Sequence, residues 1–256
     1  MISASYDSRG LARLGVVVPV SNTNLEPDLM WLAPTGVSLH FARAGGYDVD
    51  QIPDEKQMQQ YSDSTPTEVI ESLKHCRADL VLYGCTSATL AQGPAYDKRF
   101  RGDIETITGV PAVTAAGALV EVLQRLEVQR FAFTSPYVAS LNDLAIGFLE
   151  SSGLECVHRL DAPSPLSNEA VGDTRPEEII EIALRADHAD AEVLVISCTD
   201  YRATEAIAAI EEQIGKPVVT SNQASLLVAL ERLGIVPGDS PLSTQLATSR
   251  FAGGHV

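Results

Sequence analysis

A chain of 256 residues, 45% hydrophobic and 20% charged, has the length and composition to bury one large core or two smaller ones. Its formal net charge of −16 excludes nucleic acid as a partner, because that needs a basic surface, and it leaves an anionic substrate dependent on local N–H and amide groups. There is no apolar run near the roughly 18 residues of a membrane helix, no signal-peptide core in residues 1–14 and, among four cysteines, no Cys-x-x-Cys or zinc-type spacing, so the expectation is a cytoplasmic protein with free thiols, off the membrane and without a metal site.

Residues 14–19 (Leu-Gly-Val-Val-Val-Pro) read as a parallel strand covered on both faces. The strand runs into Val20-Ser21-Asn22-Thr23-Asn24, where short polar side chains serve either as turn caps or as ligand contacts at the sheet edge. Residues 37–43 form a second strand. Residues 44–64 carry Gly45-Gly46 and no clear period, and read as a surface loop near that edge. Thr65-Pro66-Thr67-Glu68 is a helix start, with Val69, Leu73 and Cys76 on one face.

Residues 80–84 are a buried strand that Cys85-Thr86-Ser87 closes. Residues 110–114 are a short strand, and a helix follows with Leu119, Val122, Leu123 and Leu126 along one side. Residues 131–135 open a second series, ending in Pro136-Tyr137. A helix over 142–153, an edge strand over 154–160 and a polar loop over 161–175 follow. That loop contains Asn168. Cys76 and Cys156 read as packed structural residues.

Residues 193–197 repeat the earlier pattern, an apolar strand closed by Cys198-Thr199. A helical face follows at Ala203, Ile207, Ile210 and Ile214. Unpartnered N–H groups at a helix start attract anions, and a cysteine there can have a lowered pKa. Residues 216–220 echo 110–114, the helix over 225–233 echoes the Leu119 helix, and the tail after Pro237 is polar, glycine-ended and loose at its end. The two Cys-Thr units stand 113 positions apart (198 minus 85). This repetition predicts an α/β fold of two pseudo-symmetric Rossmann-like lobes, with parallel sheets and an active-site cleft between them. Residues 1–117 with 222–256 make the N-terminal lobe carrying Cys85, and 118–221 the C-terminal lobe carrying Cys198.

Two thiols across a cleft offer a nucleophile or base on one side and an acid on the other. Racemisation, cis–trans isomerisation and decarboxylation all fit, as does an inert pair. Here the sequence resembles the aspartate/glutamate/hydantoin racemase superfamily, in its maleate cis–trans isomerase and arylmalonate decarboxylase branch. The matches are Pro19-Val20-Ser21-Asn22, Gly84-Cys85-Thr86-Ser87, Ser135-Pro136-Tyr137, Asn168-x-x-Val171-Gly172 and Ser197-Cys198-Thr199.

The resemblance implies a homo-oligomeric isomerase without metal or organic cofactor, acting on maleate or a close cis-enedioic acid. Cys85 would add to the double bond and Cys198 would supply a proton. Ser21, Asn22, Tyr137, Asn168, Thr86, Ser87 and Thr199 would bind the carboxylates and the enolate-like charge. The alternative is a two-cysteine racemase of an acidic or acylated amino acid. Decarboxylases of this branch carry glycine where Cys85 stands, which disfavours that chemistry. A two-lobed binding or regulatory protein is a third reading. Asp200, Tyr201 and Arg202 depart from the isomerase pattern, and the sequence gives them no role.

Overall fold

A computed structural model describes residues 10–45, 52, 54–61, 63, 65, 67–238 and 240–248. Strand β1 (Ala12–Pro19) owes its form to three consecutive valines, and Val16, Val17 and Val18 are each almost fully buried. Helix α1 (Leu25–Leu32) turns Leu25, Leu29 and Leu32 inward at 0% exposure, about 2 kcal/mol of burial for each. Next come β2 (Val37–Ala44), α2 (Glu55–Tyr61), α3 (Thr67–His75), β3 (Leu80–Tyr83), α4 (Thr86–Leu90), α5 (Pro94–Thr108), β4 (Ala112–Thr114) and α6 (Ala115–Arg125). The four strands make one parallel sheet in the order β2-β1-β3-β4.

The second series gives β5 (Arg130–Thr134), α7 (Ala139–Glu150), β6 (Glu155–Leu160), α8 (Asn168–Gly172), α9 (Pro176–Ala186) and β7 (Val193–Ile196). Then follow α10 (Ile207–Ile214), β8 (Val218–Thr220), α11 (Ser221–Arg232) and α12 (Pro241–Thr248). Its sheet is also parallel, in the order β6-β5-β7-β8. The strand orders match one for one, so the repeat seen in the sequence is a repeat of topology.

One apolar cluster runs between the sheets. It joins Leu14, Leu82 and Val113 of the first to Phe131, Val195 and Val219 of the second through α6 and α11. Each sheet has its own cluster on its outer face. The helices α6 and α11 start alike: Thr114 Oγ1 accepts from Gly117 N at 3.1 Å and Thr220 Oγ1 from Gln223 N at 3.3 Å.

Several expectations need correction. The 44–64 stretch contains α2, and the 161–175 stretch contains α8 with Asn168 as its first residue. Part of the 44–64 stretch, with Gly46, and Pro66 lie outside the described residues. The Thr65 hydroxyl lies 3.3 Å from the Tyr83 phenol. Helices α1 and α5 were not read from the sequence, and the tail carries α12. Helix α11 begins at Ser221, earlier than the leucine pattern indicated, because Thr220 caps it there.

Candidate active site

In each sheet the chain leaves its first strand for one edge and its third strand lies on the other side. The two connections therefore diverge beside the first and third strands. Ligands of open parallel sheets bind at such a point, outside the carboxyl ends of the strands. In the first sheet this point lies between β1, ending at the Asn22 turn, and β3, ending at Cys85. In the second it lies between β5, ending at the Tyr137 turn, and β7, ending at Cys198.

The two points face each other. Cys85 Sγ lies 3.9 Å from Ser87 Oγ, and Ser87 Oγ lies 3.4 Å from the Tyr137 hydroxyl. The Tyr137 hydroxyl lies 3.4 Å from Cys198 Sγ. Four side chains thus form a continuous hydrogen-bonded row from one lobe's thiol to the other's. Cys85 is 8% exposed and Cys198 4%.

The thiols are not the low-pKa thiolates that a helix start can produce. Burial pushes Cys85 up to about 11, against the Ala88 N–H and the Ser87 hydroxyl, which favour the anion. Burial pushes Cys198 up to about 12. The Asp200 charge adds to that shift, while the Tyr137 hydroxyl and Asp200 N–H oppose it. Two physical reasons correct the expectation. Helix α4 has only five residues, and behind Cys198 the chain turns through 199–203 before a single 3₁₀ turn at Thr204–Ala206. The Tyr137 phenol is also raised, chiefly by burial and then by the Cys198 charge.

The other expected residues divide into groups. Asn22 is buried, but its amide is engaged. Its Oδ1 accepts from Asn24 N at 3.0 Å and Leu25 N at 2.9 Å, and its Nδ2 donates to Thr199 Oγ1 at 3.0 Å. Thr199 Oγ1 donates onward to Gly84 O at 2.9 Å. Asn22 and Thr199 therefore tie the lobes together beside the thiols. Thr86 is 2% exposed and its hydroxyl has no partner among the described residues, which leaves it a polar group in need of one. Ser21 is half-exposed in its turn, and Asn168 is half-buried at the start of α8. Neither belongs to the row between the thiols.

Sequence reasoning missed several supporting residues. Asn142, at 0% exposure, accepts from Ser135 Oγ at 2.5 Å and donates to Tyr137 O at 3.0 Å and Asp161 Oδ1 at 2.8 Å, which fixes the Tyr137 turn. Asp28 Oδ2 accepts from Thr204 Oγ1 at 2.5 Å and Asn222 Nδ2 at 2.7 Å. Asn222 also donates to Thr199 O at 3.1 Å. The only advance signal was a polar residue inside an apolar helical stretch. No group of three or more His, Cys, Asp or Glu able to hold a metal occurs among the described residues, and no described helix is long and apolar enough to cross a membrane.

The family model for arylmalonate decarboxylase matches residues 14–242. A maleate isomerase of Pseudomonas putida is 29% identical over 250 residues, covering 91% of this chain and 97% of that one. A cysteine-to-alanine variant of the maleate isomerase Iso of Pseudomonas putida S16, solved with maleate, superposes with a TM-score of 0.81 at 23% identity, covering 90% of this chain and 96% of that one. A cysteine-to-serine mutant of the Nocardia farcinica maleate cis–trans isomerase, solved with a covalently bound succinylcysteine intermediate, gives 0.79 at 24% identity, covering 90% and 97%. At these identities the solved structures speak to the fold, which they share.

Proposed function

This chain belongs to the arylmalonate decarboxylase family, and from that membership we propose that it is a cis–trans isomerase converting maleate, or a close cis-enedioic acid, to its trans isomer. The observation that carries the reading is the row Cys85–Ser87–Tyr137–Cys198, one thiol from each lobe joined by two hydroxyls. A cysteine at position 85 separates the chain from the decarboxylases it resembles. The relatives' names support the substrate class.

The chemistry follows from two neutral thiols. Cys85 Sγ forms a bond to one alkene carbon, and the π electrons move toward the carboxylate on the other. Cys198 gives its proton to that second carbon. The proton leaving Cys85 passes through Ser87 and Tyr137 to Cys198, so Cys198 is a thiol again, Cys85 is a thioether and no net charge is created. The central bond is now single, and it rotates. Reversal takes the proton back through Cys198 and releases the trans diacid with both thiols restored. Neither thiol has to persist as a free anion, which suits a site whose burial opposes thiolates. The Thr86 hydroxyl and the Thr86, Ser87 and Thr199 N–H groups are assigned to the developing enolate-like charge, and Asn22, Ser21, Tyr137 and Asn168 to the carboxylates.

The lobes are drawn at residues 1–117 with 222–256 and at 118–221. Helix α11 packs on α1, β3 and β4 of the first and also on α6 and β8. Four free cysteines support a reducing, cytoplasmic setting, and a homo-oligomer is retained from the resemblance. The test is proton NMR of the reduced protein with maleate in deuterated buffer. The fumarate singlet grows as maleate declines. Unchanged maleate, with α-proton loss from a chiral acidic amino acid instead, would replace the isomerase by the racemase.

A further inference from the structure

Asp200 stands two residues after Cys198, in the stretch where the chain departs from the isomerase pattern. Its Oδ1 is a point of convergence. Thr23 N donates to it at 2.7 Å, Asn24 N at 3.0 Å, Asn24 Nδ2 at 3.2 Å and the Thr23 hydroxyl at 3.3 Å. Asn24 Nδ2 also reaches Asp200 O at 2.9 Å and Gly172 O at 2.9 Å. All these donors belong to the turn after β1, in the opposite lobe. On its other side, Asp200 N donates to Cys198 Sγ at 3.4 Å. One residue therefore grips the turn that carries Asn22 and touches the sulfur of Cys198.

We propose that Asp200 is the positioning residue that holds Cys198 as the proton donor, by clamping its loop across the cleft to Thr23 and Asn24 and by keeping a carboxylate beside the thiol. The role of donor rests on the isomerase reading; the clamp and the charge do not. Among the described residues, the titratable groups facing Cys198 are Tyr137 from the β5–α7 turn, Cys85 at the start of α4, Tyr201 beside it and Asp200 itself. No cation is among them. Among the described residues Asp200 is the carboxylate whose charge opposes a thiolate at Cys198, with a smaller opposing effect from Cys85, and none acts on Cys85 in the same way. The clamp distinguishes two thiols that are otherwise similarly buried.

The test replaces Asp200 by Asn, which is isosteric and can still accept from Thr23 and Asn24. Iodoacetamide labelling of each cysteine is followed by peptide mass spectrometry from pH 7 to 10, alongside maleate turnover. In Asp200→Asn, Cys198 labels about tenfold faster at pH 8 while Cys85 labels at its former rate, and kcat falls more than KM rises. An unmoved Cys198 profile would overturn the proposal, whatever happens to turnover. If the parent protein fails to isomerise maleate, the function falls, and the labelling still judges Asp200. If Asp200→Asn does not fold, Asn24→Ala carries the test, since it removes two bonds to Asp200 and one to Gly172. Faster Cys198 labelling with reduced turnover supports the clamp; unchanged labelling and turnover refute it.

Discussion

At the scale of single residues, the site depends on polar groups buried by the fold and joined to one another. Removing the sulfur of Cys85 deletes the bond-forming atom, so Cys85→Ala should lower maleate turnover by about a thousandfold or more while the fold survives. Turnover near the parent rate would exclude the mechanism. Tyr137→Phe breaks the row at its middle and should cost about a hundredfold in kcat, the usual scale of a proton-transfer group; a loss confined to KM would make Tyr137 a binding residue only. Asp28 allows a separate test of stability. Burial raises its carboxyl from 3.8 to about 6, against the bonds from Asn222 and Thr204. The folded state then holds a proton that the unfolded state has released. Its contribution is complete below pH 3.8 and is lost as pH rises to about 6. Asp28→Asn keeps an acceptor for both donors and removes the titration. The stability of the variant relative to the parent should rise by on the order of 3 kcal/mol across that window, measured by urea unfolding; a pH-independent difference would contradict it.

At the scale of elements, the carboxyl ends of β1, β3, β5 and β7 carry the chemistry, and they were the parts legible in the sequence. Apolar runs ending in Ser-Asn, Cys-Thr, Pro-Tyr and Cys-Thr mark where strands stop and polar side chains begin. The missing elements have a physical explanation. Helix α5 buries only Tyr96, Asp97, Phe100, Ile104 and Thr108 on one side and leaves the rest exposed or half-buried, so its apolar signal is thin. Helices α2 and α8 are seven and five residues long, too short to show a period. The inter-lobe bonds of Asn22, Thr199 and Asp200 could not be seen at all, because partners 115, 176 or 177 positions apart are brought together only by the fold. Gly84 shows how tightly β3 ends. A Cβ there would stand 2.2 Å from Leu25 Cδ2 and 2.9 Å from Val17 O. Gly84→Ala must push α1 or β1 aside, at a cost of about 1–3 kcal/mol. It also displaces the carbonyl that receives Thr199, so the urea midpoint and the turnover should fall together. A stable variant with full activity would mean that α1 gives way freely.

At the scale of the whole molecule, the duplicated lobes solve a problem that a single sheet cannot. Each half supplies one thiol at the divergence of its connections, and a reaction on both carbons of a planar double bond needs groups from two directions. The apolar cluster through α6 and α11 fixes the lobes to each other, and the polar ties at Asn22, Asp28, Thr199 and Asp200 set the register of the cleft. This assembly carries a formal charge of −16, yet its substrate in the proposed reaction is a dianion. The global field therefore opposes binding, and local N–H and hydroxyl groups must overcome it. At 0.1 M salt the interaction between exposed charges falls off over about 10 Å, so added salt weakens the distant repulsion more than the buried contacts. The KM for maleate should drop by about two- to fivefold between 20 and 200 mM sodium chloride, with kcat nearly constant, because the chemistry takes place among groups shielded from the salt. A KM that rises with salt would mean instead that an exposed cation outside the row of thiols and hydroxyls captures the substrate.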